Sequence, residues 1–407
     1  MERTLIEQFY KALTKEQQTA VKIISECADL YGINAYIIGG VVRDLILEKP
    51  IYDIDFVVEC NAIDFCRFME EKKFCEIVRI SEDFGTTKIK IDKNLELDIA
   101  STRTEKYPRA GHLPVVEQLG CSLKEDILRR DFSVNALAMS VNSKNFGVII
   151  DYTNGLTDIE KKELRILHEK SFVDDPTRII RALRFEQKLG FTIEKNTQKF
   201  IQKYLNEFDN NDICYERIKQ VIKLAFSLNS EELFDKFILN NIYKLVANIP
   251  RKISGKQIFD AVKNNIAYIE QKNIWLIYLA CFCLEKDVEK LNLSAKEHDI
   301  ILGVQKLLEN SEKKETNFEI YNYYKPFAKE SIVAYLALTK SAQAEKFLSE
   351  IQFIKLEIDG NFLIKEGCQK GKNIGIILEK ILKEKINKKI FTKKDEIKLA
   401  KKILSEF

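Results

Sequence analysis

Residues 35–58, AYIIGGVVRDLILEKPIYDIDFVV, decide the fold. Tyr36-Ile37-Ile38 is a β-rich run that ends in Gly39-Gly40, a short helix follows, and Tyr52 to Val58 reads as the next strand. Residues two apart in a strand share a face, so the pattern predicts Asp53 and Asp55 side by side, with Ile54, Phe56 and Val58 packed on the other side. Two carboxylates held that close in a partly buried site repel each other unless a cation lies between them, and hard oxygen ligands with room for water and phosphate suit Mg²⁺. Two solvated aspartates on an exposed strand face are the plainer alternative. The glycine pair lets the backbone approach a phosphate at a helix start, and Arg43 one turn on adds a charged donor; a simple turn would also explain the glycines. The third glycine of a dinucleotide fingerprint is missing. A phosphate cradle on one strand end and a carboxylate pair on the next strand describe nucleotidyl transfer better than redox chemistry.

Outward from this core, further β-rich runs (TKIKI, LELDIAS, FGVIIDY) alternate with helical stretches such as NAIDFCRFMEEKK up to about Tyr152. This is the only β-containing region expected, an α+β or α/β head of about 120 residues. Asp98 is a candidate third metal ligand, with Glu96 beside it on the same polar strand face. In Leu128 to Ala136, charges precede a predicted apolar helix, Ala136-Leu-Ala-Met139. Arg130 there can bridge triphosphate oxygens and Asn135 can hold a ribose hydroxyl, or the cluster is an Arg–Asp brace. Asp151 to Ile159 reads as a turn at Asn154-Gly155 with Asp158 capping a helix. In Ser171 to Phe185, Pro176 suits the first helical position and Asp175 its N-cap. At about 100° per residue, Asp174, Arg178 and Arg181 fall on one helix face with Arg184 at its margin. One carboxylate acceptor and one Arg donor match the amino group and ring nitrogen that cytosine and adenine share, and not the reverse pattern of uracil and guanine. A capped helix with internal salt bridges is the alternative.

The chain has 407 residues with 45% apolar and 31% charged, enough for two to four domains. With 15 Gly and 6 Pro it has few helix breakers, and from Leu164 onward apolar residues recur at helical spacing, which excludes a sandwich, barrel or propeller. Weak division marks occur at 206–212, 248–255, 310–317 and 359–362. The net +3 hides an uneven distribution, since residues 1–150 carry a net −4 and residues 361–407 hold 13 Lys against 6 Asp or Glu. A basic end suits a polyanionic partner, although Lys-rich helices are also simply soluble. Nine cysteines without a C-x-x-C pair read as reduced thiols of a cytoplasmic protein, and the chain shows neither a signal peptide nor a membrane-spanning run. Trp275, in NIWLIYLACFCL, reads as core.

Taken in order, GGVVRD (39–44), DID (53–55), RRDFSVNALA (129–138), DYTNGLTD (151–158) and DDPTRIIRALRF (174–185) resemble the class II tRNA nucleotidyltransferase and bacterial poly(A) polymerase family, the CCA-adding enzymes of the polymerase-β-like nucleotidyltransferase superfamily. The resemblance implies an α+β fold, with a small nucleotidyltransferase head on a short mixed β-sheet (1–163) followed by an all-helical neck (164–250), body (251–330) and basic tail (331–407). It implies Asp53 and Asp55 as the metal and catalytic residues in a two-Mg²⁺ mechanism, and Asp175 and Arg178 as readers of the incoming base. Gly39, Gly40, Arg43, Arg130, Asn135, Arg181 and Arg184 would be further nucleotide contacts. The implied partners are tRNA and ATP, with CTP in addition if more than the final A is added; a monomer is favoured. Glu216-Arg217-Ile218 resembles a neck segment of the family more weakly. Two features depart from the common pattern. Asp174 stands where most members have Glu, and residues 103–117 lack the usual basic, aspartate-containing turn before the proline and look more like members that add only the terminal A. That segment is not shortened as in enzymes restricted to CC addition. Addition of A alone and of the full CCA both stay open. A poly(A) polymerase or a catalytically inactive RNA-binding module are the alternatives, the latter disfavoured by the intact carboxylate pair. A phosphohydrolase on His298-Asp299 would need more histidines than His112 and His168 supply.

Overall fold

The computed structural model describes residues 2–92, 95–109, 111–208, 213–310, 313–369 and 371–405. The chain divides into two compact units, Met1–Val221 and Ile222–Phe407. The division marks expected at 206–212 and 310–317 fall partly on 209–212 and 311–312, outside the described residues.

In the first unit, α1 (Glu2–Ala12) and α2 (Lys15–Tyr31) form the expected N-terminal helices, and Gly32 ends α2 at φ 78°, a left-handed position that glycine takes without steric cost. Then follow β1 (Ala35–Ile38), α3 (Gly40–Ile46), β2 (Asp55–Val58), α4 (Ala62–Glu71), β3 (Glu76–Ser81), β4 (Thr86–Asp92) and β5 (Leu95–Ser101). A hairpin of β6 (Arg103–Lys106) and β7 (Val115–Leu119) precedes α5 (Leu123–Leu128), β8 (Leu137–Ser140), β9 (Ile149–Asp151) and α6 (Gly155–Lys161). Seven strands make one mixed sheet in the order β3-β4-β5-β2-β1-β8-β9, where β2 and β5 run parallel and the other neighbours antiparallel. The head sheet on which the family reading depends is therefore present.

Four expectations need correction. Leu137–Ser140 is a strand, whereas the sequence pointed to a helix from Ala136. It lies between β1 and β9 and is buried throughout, and a short apolar run covered on both faces has no period from which to tell the two apart. β2 starts at Asp55 and leaves Asp53 in the segment before it, although the alternation persists there: Ile54 is buried between two exposed aspartates. The cap of α6 is Asp151, whose carboxylate accepts from the N–H groups of Thr153, Gly155 and Leu156; Asp158 lies inside the helix and takes Ser133 and Arg165 instead. Gly155 is needed because a Cβ there would collide with the Ser133 carbonyl. Finally, β10 (Glu163–Leu164) and β11 (Thr192–Ile193) form a two-residue parallel pair beyond the region expected to hold all the strands.

The remaining helices of this part of the chain are α7 (Ser171–Asp174), α8 (Thr177–Leu189), α9 (Lys195–Glu207) and α10 (Tyr215–Phe226). In the second unit every named element is helical. The helix Ile274–Phe282 is buried along its length, and Trp275 is core, as its sequence context suggested. Near the C-terminus Leu363, Ile377, Ile381, Ala400 and Ile403 form a small core of their own beneath the helices Lys372–Ile386 and Lys393–Ser405. All nine cysteines are free, and no helix among the described residues is long and apolar enough to cross a membrane.

Candidate active site

The end of β1 and the start of α3 form one wall of a cleft of about 660 Å³ in the first unit. Gly39 joins them at φ 78° and ψ −130°, a conformation open to glycine and strained for other residues, and its N–H donates to the Leu137 carbonyl at 2.9 Å. The side chain of Arg43 is buried, pairs with Asp44 at 2.8 Å and donates to Asn135 Oδ1. Arg181, from α8, is paired with the buried Asp131, which also accepts from Asn135 Nδ2 at 3.1 Å. The guanidinium groups of Arg43, Arg181 and Arg184 lie 5.5, 5.6 and 5.3 Å from the ring centroid of Phe185. Arg184 has no carboxylate partner among the described residues, and burial, followed by the charges of Arg181 and Arg43, holds it below its ordinary value. Three cations around one ring repel each other, and a polyanion between them would relieve that repulsion.

Beside that wall, on the strand paired with β1, the cleft is acidic. Asp55 sits in register with Asp98 on the parallel neighbour β5, and Asp98 accepts from Lys88 Nζ at 3.0 Å. Asp55 keeps exposed surface, but the protein packed around its carboxyl takes water from it and pushes it up; the Asp98 carboxylate adds to this, Arg130 opposes it, and Asp53 contributes a smaller push in the same direction. Among the described residues no three His, Cys, Asp or Glu side chains come together tightly enough to hold a metal unaided. The donor set fits Mg²⁺, which binds through one or two carboxylates and completes its shell with water and phosphate oxygens, and does not fit a metal enclosed by protein alone.

The third side joins the hairpin to the helical segment. Asp174 ends the single turn α7, and Asp175 is extended at φ −143°, as expected of a residue before proline. Asp174 therefore does not share a helix face with Arg178, as continuous helical geometry predicted; it lies 3.9 Å from His168. Asp175 does cap α8, with Oδ1 accepting from the Thr177 N–H at 3.1 Å and hydroxyl at 2.5 Å, and Arg217 donates to its Oδ2 at 2.5 Å. Arg178 is buried and donates to Ser171 Oγ at 2.6 Å and to the Arg129 carbonyl at 2.8 Å. Beneath them Asp126, with no exposed surface, accepts from Arg129 and Arg130 and from the Arg103 N–H.

Of the residues singled out from sequence, Gly39, Gly40, Arg43, Asp55, Asp98, Arg130, Asn135, Asp175, Arg178, Arg181 and Arg184 all line this cleft, while Asp53 lies outside its lining on the segment entering β2. Sequence reasoning missed Arg103, Glu105, Tyr107, Arg129, Lys188 and the place of Arg217 in the cleft. The doublet at 129–130 and the 216–218 segment were the signals available for two of them; nothing in the local pattern marked Tyr107.

Residues 35–165 match the family described as the poly A polymerase head domain. The A-adding tRNA nucleotidyltransferase of Aquifex aeolicus is 33% identical over 383 residues, which cover 88% of this chain and 45% of that protein. The corresponding A-adding enzyme of Geobacter sulfurreducens is 29% identical, with 98% of this chain and 48% of the relative covered. The chain thus spans about half the length of these curated relatives. Among solved structures, the Thermotoga maritima CCA-adding enzyme complexed with tRNA is similar at a TM-score of 0.78 and 27% identity, with 99% of this chain and 98% of that one covered.

Proposed function

We propose that this chain, whose residues 35–165 match the poly A polymerase head domain, adds AMP from ATP to the 3′ end of tRNA without a nucleic-acid template. The observation that carries the reading is one cleft lined both by the carboxylates Asp55 and Asp98 and by three arginines around Phe185. Arg184, which makes no ion pair with a carboxylate among the described residues, and Arg181 and Arg43 beside it hold the triphosphate, and Arg130 neutralises charge near Asp55. Gly39 and Gly40 let the backbone lie close to the phosphates, and Asn135 meets the ribose. Asp175 accepts from the amino group of the base while Arg178 donates to its ring nitrogen. Asp53 and Asp55 would hold Mg²⁺ through two carboxylates, with Asp98 beside Asp55 on β5, and the metal would supply Lewis-acid assistance to the attacking hydroxyl and the departing pyrophosphate.

Incubating the chain with ATP and a tRNA that ends in CC tests the proposal. A one-nucleotide extension is expected, whereas long heterogeneous tails would mark a poly(A) polymerase. Full CCA synthesis, with CTP as a second substrate, is the second reading; the full-length match to a CCA-adding enzyme and the intact β6–β7 hairpin favour it.

The division into neck (164–250), body (251–330) and tail (331–407) belongs to the same proposal, with a monomer acting in the cytoplasm. The tail grips the tRNA backbone. Lys394, Lys398 and Lys402 are exposed at i, i+4 and i+8 on the helix Lys393–Ser405. Replacing all three with Gln should weaken tRNA binding and reduce the slope of log affinity against log salt by about 2 to 3, with ATP binding unchanged. An unchanged slope would remove the tail from the RNA interface.

A further inference from the structure

Gln17, in the first turn of α2, uses both ends of its side-chain amide. Its Oε1 accepts from the Thr14 N–H at 2.9 Å while the Thr14 hydroxyl accepts from the Gln17 N–H at 3.2 Å, a reciprocal cap that opens α2. Its Nε2 donates to the Tyr52 carbonyl at 3.0 Å, and the residue is 6% exposed. Tyr52 directly precedes Asp53, in a stretch between α3 and β2 that has no regular structure. Among the described residues, this is the one hydrogen bond made to or by residues 50–53. The Tyr52 ring is 80% exposed and gives little anchorage, whereas Ile54 is buried. Asp53 is therefore held from two sides, by the buried Ile54 after it and by the α2 amide on the carbonyl before it.

We propose that Gln17 is a positioning residue for the carboxylate pair, tying the backbone before Asp53 to α2 so that Asp53 and Asp55 can share one cation. The inference rests on the proposed role of both aspartates as Mg²⁺ ligands. Asp55 is placed by β2, which pairs with β5 at Asp98, but Asp53 lies before the strand and takes no placement from the sheet. Two like charges drive a loosely held segment away, and the charge of Asp53 is felt at the Asp55 carboxyl. A cation that demands near-ideal octahedral directions gains little from a carboxylate free to move. The Gln17 amide opposes that movement, because displacing the Tyr52 carbonyl leaves a buried donor without its acceptor.

The test measures Mn²⁺ binding to the full chain by electron paramagnetic resonance, with no nucleotide or tRNA present, alongside the Mg²⁺ dependence of nucleotide addition. Gln17→Glu keeps an acceptor for the Thr14 N–H, so the cap survives, but sets a carboxylate oxygen against the Tyr52 carbonyl. Its Mn²⁺ dissociation constant should rise about ten-fold, the scale of loss when an orienting partner of a metal site is removed. The added negative charge alone would tighten cation binding, so the direction of the change separates the tether from simple electrostatics. Half-maximal addition should need correspondingly more Mg²⁺, with kcat recovering at saturating metal. Thr14→Ala removes the hydroxyl of the cap and leaves the bond to Tyr52, so it should lower the melting temperature with Mn²⁺ affinity unchanged. Gln17→Met, with neither polar end, should also weaken Mn²⁺ binding, and it carries the test if the glutamate variant does not fold. Unchanged Mn²⁺ affinity in the Gln17 variants, or an equal loss in Thr14→Ala, would overturn the proposal. Wild-type affinity retained in Asp53→Ala would refute the ligand assignment itself, on which the tether depends.

Discussion

Asp55→Ala should lower nucleotide addition on the order of a thousandfold or more while tRNA binding, measured by filter retention, stays within about twofold of the wild type. The two effects separate because Asp55 is an acid and adds no attraction to the RNA backbone, so its loss touches the chemistry and not the electrostatic hold on tRNA. Stability should not fall with activity. Loss of water around the Asp55 carboxyl and the repulsion of Asp98 and Asp53 together outweigh the attraction of Arg130 and Lys88, so removing its charge relieves an unfavourable interaction. The melting temperature of the variant is therefore expected to equal or exceed that of the wild type, which excludes unfolding as the reason for lost activity. Asp53→Ala should show the same loss of addition. Retained incorporation in either variant would refute their assignment as metal ligands.

Asp126→Ala should have the opposite profile, a large loss of stability. Asp126, on α5, is fully buried and binds Arg129 at 2.6 Å and Arg130 at 2.9 Å. Its removal leaves Arg130 without its carboxylate and Arg129 with Glu105 alone, at 3.1 Å; breaking a buried pair in this way costs about 3–5 kcal/mol. Urea unfolding at neutral pH measures this directly, and a change under about 1 kcal/mol would show the cluster to be solvated in solution. The pH dependence has a definite sign. Burial alone would raise the Asp126 carboxyl, but Arg130 and Arg129 outweigh it and hold the group below the usual carboxylate range. A depressed carboxyl contributes stability that is present above its unfolded pKa of about 4 and is lost as the pH falls through the folded value. Wild-type stability should therefore decline more steeply below pH ~4 than that of the variant. The same residue links stability to function, because Arg130 faces the cleft and the Arg129 carbonyl holds Arg178.

The sheet was legible wherever one face is polar. Asp53, Ile54 and Asp55 alternate, as do Glu96 and Asp98 among Leu95, Leu97 and Ile99, and strands appear at both places up to the exact start of β2. At β8 the pattern failed, because a central strand covered on both sides presents four consecutive buried residues with no periodicity to read. Asp174 was misplaced for a local reason: Pro176 keeps the residue before it extended, so the helix cannot run back through Asp175. The α6 cap was assigned to Asp158 when Asp151, before the turn, does the capping, since an Asx residue can reach backbone N–H groups several positions onward. In the cleft, residues within contiguous motifs were visible one motif at a time. Arg217 and Tyr107 reach the same cavity from a distant helix and from the hairpin, and spacing along the chain carries no trace of such a meeting.

The most direct measurement of the central claim supplies labelled ATP, labelled CTP or both to tRNAs that end before the CCA, after the first C and after CC, and sizes each product. The account predicts that ATP alone extends the CC-ending tRNA by one nucleotide and that Asp55→Ala abolishes this product. CTP-dependent growth of the shorter tRNAs would extend the activity to the whole CCA end. Absence of any extension of the CC-ending tRNA, or extension that survives in Asp55→Ala, would contradict the account.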